Sequence, residues 1–222
     1  MIKKSKKDEA ILLLKGAYTL KTPEDSVIYY KGFSKLYDTT YVEELAYIYP
    51  KGVALELFNN YDGNGNICDI GCGTGLVGEE LYSLNSNFVI DGIDISPDMI
   101  SVAKEKNLYR NFYEIDLTQP ILDVPNNYSA LISSGTFTHG HLGPEVLVSL
   151  LSICKEDAVL TIGINALYYH KKGFEKVLKK LELENKIRMI KVSSIPIYSS
   201  KDKTQNEENQ LAIICTFSKI NS

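Results

Sequence analysis

The sequence predicts an α/β protein: a doubly wound, seven-stranded mixed sheet with one reversed strand, preceded by a helical cap. Three observations predict it. Residues 66–84, opening Asn66-Ile67-Cys68-Asp69-Ile70-Gly71-Cys72-Gly73-Thr74-Gly75, read as a short buried strand, a glycine turn and a helix start. From Asn66 onward, strand-like and helix-like runs alternate. The last two strand-like runs, 186–199 and 210–218, have no helix between them and should pair antiparallel.

In chain order, residues 1–65 read as helices. The first covers 8–18, and Pro23 breaks the chain. Thr22-Pro23-Glu24-Asp25 is a helix start, with Thr as N-cap, Pro at the first helical position and acids in the first turn. The helix over 24–37 carries Tyr29, Tyr30, Phe33 and Tyr37 at helical spacing. A third helix covers 40–49 and ends at Pro50, and a fourth covers 52–60. Residues 61–66 are a turn cluster. After the first strand and its helix, 76–84, the second strand is 88–95. Ser96 caps the next helix, with Pro97 at its first position and 99–106 as its body. Strand three is 112–117, strand four 128–134, and a helix covers 143–154. Strand five is 158–165, followed by a helix over 173–184. Residues 1–65 serve as cap and 66–218 as core, so 1–222 reads as one domain.

The 222 residues, 44% hydrophobic, are enough to bury one sizeable core. A net charge of −4 gives no basic face for nucleic acid, and Lys3, Lys4, Lys6 and Lys7 read as a solvated end. No apolar run reaches the ~18 residues of a membrane span. Lys15 interrupts the short run 10–14, so no secretory signal is expected. Cys68, Cys72, Cys154 and Cys215 form no C-x-x-C pair, which points to reduced thiols in a cytoplasm and no structural zinc. A monomer or homodimer is expected, without nucleic-acid or membrane partners.

Ligands of such a sheet bind beyond the carboxyl ends of its strands. Gly71, Gly73 and Gly75 admit positive φ and let a ligand approach the backbone. Gly73 to Gly78 also satisfies G-x-G-x-x-G, the dinucleotide fingerprint. Asp69 argues against a pyrophosphate there and for a cationic group, an α-amino or a sulfonium, hence S-adenosylmethionine over NAD. After strand two, Asp94 is placed to accept both ribose hydroxyls, with Ile95 beside it and Met99 packing on adenine. After strand three, Asp116 accepts from the exocyclic amine, with the Leu117 amide near a ring nitrogen. Beyond strand four, the loop 133–144 gathers Ser133, Thr136, Phe137 and two of the three histidines, His139 and His141. Histidine is the side chain suited to take a proton near neutral pH. The pair could also hold a metal, but no acid-rich cluster accompanies it. Beyond strand five, Asn165, Tyr168, Tyr169 and His170 line the substrate side, or the tyrosines pack on the cap.

Asp69-Ile70-Gly71-Cys72-Gly73-Thr74-Gly75, Gly92-Ile93-Asp94-Ile95-Ser96-Pro97-Asp98-Met99 and Asp116-Leu117 resemble the first three motifs of class I S-adenosylmethionine-dependent methyltransferases. The resemblance covers about residues 25–218. It implies a Rossmann-like sheet of order 3-2-1-4-5-7-6 and S-adenosylmethionine as cofactor, bound through Tyr30, Tyr37, Asp69, Gly71, Cys72, Gly73, Gly75, Asp94, Ile95, Met99, Asp116, Leu117 and Ser133. Tyr30-x-x-Phe33-x-x-x-Tyr37-Asp38 is similar to the N-terminal signature of small-molecule members, whose aromatics close over the cofactor. Residues 134–144 and Gly173-Phe174 look like the methyltransferase-like group named for the Williams–Beuren region. The Asn-Pro-Pro-aromatic motif of enzymes acting on amino groups of DNA, RNA and protein is absent; Ser133-Ser134-Gly135-Thr136 stands there. No metal-binding acids of the catechol type are evident.

The expected function is methyl transfer to a small molecule, with Thr136, Phe137, Asn165 and Tyr168 on the acceptor and His139 or His141 as base. In an extended loop the two histidines point to opposite sides. His139 is expected to face the acceptor and His141 to hold the loop. An NAD-dependent oxidoreductase and a non-catalytic cofactor-binding regulator are the alternatives.

Overall fold

The structure, a computed structural model, describes residues 6–17, 19–20, 22–32, 34, 37–138, 141–199 and 210–220. The expectations for Lys3, Lys4, Phe33, His139 and most of the tract 199–209 lie outside the described residues.

Seven strands form one sheet: β1 (Asn66–Ile70), β2 (Val89–Asp94), β3 (Asn111–Glu114), β4 (Tyr128–Phe137), β5 (Cys154–Asn165), β6 (Ile187–Pro196) and β7 (Leu211–Lys219). Their order is β3-β2-β1-β4-β5-β7-β6, as expected. β1 to β5 pair in parallel, and β7 runs antiparallel to both β5 and β6. The switch point falls at β1, between β2 and β4. It therefore opens a crevice where Gly71 to Thr74 turn away from the sheet.

Helices cover both faces. In chain order they are α1 (Lys6–Ala17), α2 (Pro23–Lys31), α3 (Glu43–Leu45), α4 (Tyr49–Asn60), α5 (Leu76–Leu84), α6 (Pro97–Glu105), α7 (Val146–Ser152), α8 (Ala166–Lys172) and α9 (Phe174–Leu183), with a π-helical turn Tyr37–Val42 before α3. On one face, Leu147 and Leu150 of α7 and Phe174 and Leu178 of α9 pack with Tyr128, Leu131 and Phe217. On the other, Val53 and Leu57 of α4 and Val77 and Leu81 of α5 cover Ile67, Ile90 and Ile132. The alternation Ile67 outward to one face, Cys68 to the other, is the period of a strand.

Several expectations are corrected. Pro50 does not end a helix. It sits in the first turn of α4, where its missing N–H costs nothing. α4 packs on the sheet itself, over Ile67, Ile90 and Ile132. The helix begun at Pro23 stops at Lys31, with Gly32 as C-cap. Cys154, expected to end the preceding helix, opens β5, which also takes in the unassigned 155–157, and α8 stands where no helix was expected. β4 continues to Phe137 with a register shift: Ser133 pairs with Ile162 and Phe137 with Ile164. Four steps along β4 thus match two along β5, and Ser134, Gly135 and Thr136 arch out of the ladder. Among the described residues, no helix is long and apolar enough to cross a membrane.

Candidate functional site

After β1, the chain turns through Gly71, Gly73 and Gly75 at φ of 67°, 53° and 87°. All three need the left-handed region, but for different neighbours. A Cβ on Gly71 would overlap the Thr136 side chain. A Cβ on Gly75, the N-cap of α5, would lie 3.1 Å from Tyr109 and 3.3 Å from Ala103. At Gly73 the nearest atom is Met99 Cε at 3.5 Å, an ordinary contact that leaves the space above the loop open. The Gly73 amide donates to Asp94 Oδ2 at 2.8 Å, and the Ser96 amide donates to Oδ1 at 2.8 Å. The acid ending β2 thereby ties the loop to the start of α6.

Over this loop lies a cavity of about 260 Å³. Tyr30, Tyr37, Gly71, Cys72, Gly73, Asp94, Ile95, Met99, Asp116, Leu117, Thr136 and His141 all line it, so the three motifs meet at one place. Asp116 Oδ1 also accepts from the Thr118 amide (2.9 Å) and hydroxyl (2.7 Å), which shapes the turn after β3. A second cavity of about 60 Å³ adjoins the first and shares Tyr30, Tyr37, Tyr47, Gly135 and His141 with it. Phe137 and Asn165 line this smaller space.

Six expected residues, Asp69, Gly75, Ser133, Tyr168, Tyr169 and His170, do not reach either cavity. Asp69 is wholly buried beneath the loop. Its Oδ2 accepts from the Tyr109 hydroxyl at 2.7 Å, and that hydroxyl accepts from the Gly78 amide of α5 at 3.0 Å. Burial pushes the Asp69 carboxyl up to about 7, against the Tyr109 bond and with help from the Asp94 charge. Its Oδ1 has no hydrogen-bond partner among the described residues. Asp69 therefore makes no part of the cavity surface. Gly75 serves the packing of α5 on Tyr109. Ser133 points inward and donates to the Ile70 carbonyl at 2.8 Å. Its neighbour Ser134 lines the large cavity instead, with a buried Oγ that has no partner among the described residues. Tyr168 packs on Phe174, ring centroids 5.9 Å apart, under the Lys172 ammonium.

His141 was expected to hold the loop; its ring lines both cavities, 6.2 Å from the Tyr30 ring. Burial lowers its pKa to about 4, so the imidazole is neutral at pH 7. Sequence reasoning missed Ser134, Thr74, Tyr47 and Tyr109. It also missed a latch from the lead-in to the loop. Asp38 Oδ1 accepts from the Thr74 hydroxyl at 2.7 Å, and Asp38 Oδ2 meets Lys106 Nζ at 2.7 Å. Lys106 meets Glu79 of α5 at 2.7 Å as well. The signal was present in Asp38, which follows Tyr37 in the N-terminal signature.

The family profile described as a methyltransferase domain matches residues 61–211. The chain belongs to this family. Over 136 residues, 58% of the chain, it is 29% identical to a malonyl-(acyl-carrier protein) O-methyltransferase of Bacillus anthracis, covering 50% of that protein. Over 77 residues, 32% of the chain, it is 38% identical to malonyl-(acyl-carrier protein) O-methyltransferase 2 of Ilyobacter polytropus, covering 28% of it. The matches thus span half or less of the length of these curated relatives. A plantazolicin methyltransferase crystallised with a triazolic desmethylPZN analogue and S-adenosylhomocysteine superposes with a TM-score of 0.62 and 16% identity, over 97% of this chain and 100% of that one. Magnesium protoporphyrin IX methyltransferase of Synechocystis PCC 6803, with bound S-adenosylmethionine, gives 0.55 and 16%, over 87% of this chain and 82% of that one. At such identities the likeness is one of fold.

Proposed function

We propose that this protein is an S-adenosylmethionine-dependent methyltransferase acting on a small molecule. The observation that carries the reading is the convergence of the Gly71–Thr74 turn, Asp94 and Asp116 on one cavity at the switch point of the sheet. The residues fit the cofactor on their own chemistry. Asp94 accepts the Gly73 and Ser96 amides, one on each oxygen, and its remaining lone-pair capacity can take a ribose hydroxyl. Ile95, Met99 and Leu117 give apolar walls for a flat base, with Asp116 at its polar edge. Buried Asp69, raised to about 7, is only partly ionised near neutral pH, and the charge it does carry favours a cationic ligand over a pyrophosphate. The matched family and the groups bound in the two solved methyltransferases, S-adenosylhomocysteine and S-adenosylmethionine, support the same cofactor.

When bound, the cofactor supplies a methyl group on a cationic sulfur, which carries the chemical difficulty. The chain supplies position, and Tyr30, Tyr37 and Tyr47 screen the cavity from water. These lead-in residues make 1–222 one working unit. His141 offers a neutral ring nitrogen as acceptor for a proton on the incoming group. His139 remains a candidate for the same task on sequence grounds. Residues 134–144 with Gly173-Phe174 support a place near the Williams–Beuren-region group.

The test is calorimetric binding of S-adenosylmethionine against NADH, followed by release of tritiated methyl into a metabolite extract. Binding of S-adenosylmethionine alone, with label transferred to a small product, is the expected result. Preference for NADH would replace the reading by an oxidoreductase, and binding without transfer by a regulator.

A further inference from the structure

We propose that the smaller cavity is the acceptor pocket, and that it takes an uncharged, flat molecule presenting an oxygen lone pair to the Asn165 amide. The proposal rests on the methyltransferase reading above. It begins with the place of the cavity: it shares His141, Gly135 and Tyr47 with the larger one, and neither Asp94 nor Asp116 lines it. Its wall among the described residues contains no Lys, Arg, Asp or Glu. A charged acceptor would leave water with no partner of opposite sign, which is costly. The free carboxylate of a malonyl group, for one, would meet no cation here.

Asn165 sets the polarity. It ends β5, is 3% exposed, and its Oδ1 accepts from the Tyr168 amide at 3.1 Å as the N-cap of α8. Because Tyr168 N is a donor, the amide orientation is fixed: oxygen to the cap, Nδ2 away from it. That Nδ2 has no partner among the described residues. A buried donor without a partner at the edge of a cavity is matched by a ligand carbonyl or hydroxyl oxygen. An ammonium group would find ring faces in this wall but would meet the Asn165 N–H group donor to donor. The aromatic edges argue for a flat shape. Tyr47 lies 5.7 Å from Tyr198 and 6.2 Å from Tyr49, ring to ring, around the same space. Neutral His141 adds no charge to the wall.

The test uses three probes that share a phenol ring: 4-hydroxyacetophenone (uncharged), 4-hydroxybenzoate (anion) and tyramine (cation). Binding to the full chain is measured by calorimetry with saturating S-adenosylhomocysteine. 4-Hydroxyacetophenone is expected to bind about tenfold or more tighter than either charged probe. Asn165→Asp keeps an oxygen for the Tyr168 amide, so α8 stays capped, but removes the donor. It should weaken 4-hydroxyacetophenone about tenfold while S-adenosylhomocysteine affinity holds. Preference for a charged probe, binding of none of the three, or unchanged affinity in Asn165→Asp overturns the proposal and leaves the cofactor reading standing. Failure of S-adenosylhomocysteine to bind the wild-type chain would sink both.

Discussion

At the scale of single residues, Asp94 carries most. It holds the Gly73 and Ser96 amides and faces the cavity. Asp94→Ala should weaken S-adenosylmethionine binding by about 1.5–3 kcal/mol, the range for hydrogen bonds to a charged group. Asp116→Ala should cost less, because one edge contact is at stake; calorimetry on both variants decides, and the reverse ranking would exchange their roles. Two buried groups give opposite pH signatures. His141 titrates at about 4 when folded and near 6.5 when unfolded, so the unfolded chain binds the extra proton between those values. Its stabilising share is present above about pH 6.5 and fades as pH falls towards 4, by up to about 3 kcal/mol. Asp69 is raised to about 7, so the folded chain holds the extra proton, and its share is lost as pH rises from about 4 to 7. Melting temperatures between pH 5 and 8 should therefore show a smaller acid loss in His141→Gln and a smaller loss towards pH 8 in Asp69→Asn. Parallel curves for wild type and both variants would contradict the assigned burial.

At the scale of elements, the latch from the π-helical turn to the glycine loop joins parts far apart in sequence. Asp38, Thr74, Lys106 and Glu79 hold the lead-in on α5 and α6. The ion pairs are partly exposed, so each is worth only about 0.2–1 kcal/mol. Lys106→Met should speed release of S-adenosylhomocysteine about two- to fivefold at low salt. The difference should shrink at high salt, because screening already weakens the wild-type pairs. Stopped-flow dissociation at two ionic strengths checks it; identical rates would mean that the latch plays no part in retention. Elements with strong local chemistry were legible in the sequence. Thr22-Pro23 and Ser96-Pro97 each combine a side-chain cap with a helix-starting proline, and both helices begin there. Pro50 was misread because the same ring that stops one helix starts the next. α8 was missed because its cap, Asn165, follows a strand without a break. At the site, the three motifs were legible because each follows a strand end. Which side chain faces the cavity was not. Ser133 and Ser134 are the same residue type one step apart, and only the register of β4 decides between them.

At the scale of the whole molecule, cofactor site, smaller cavity and lead-in are coupled through shared walls. Tyr30, Tyr37 and Tyr47 belong to both cavities, and Tyr37 opens the turn that carries Asp38. A ligand bound to the folded chain alone at 100 times its Kd adds about 2.7 kcal/mol. For a chain of this size that raises Tm by about 5–11 °C. S-adenosylhomocysteine should give this shift in thermal denaturation, and an equal shift with NADH would count against the cofactor assignment. The arch in β4 has a further consequence for descent. Ser134, Gly135 and Thr136 occupy a step that β5 does not share, while Ile132 and Phe137 on either side stay paired with Thr161 and Ile164. Lengthening or shortening the arch would redraw the pocket floor and leave the neighbouring strands in register. Divergence among relatives with this sheet should therefore concentrate as small insertions and deletions at 134–136, and new acceptor preferences should arise there without any change of fold.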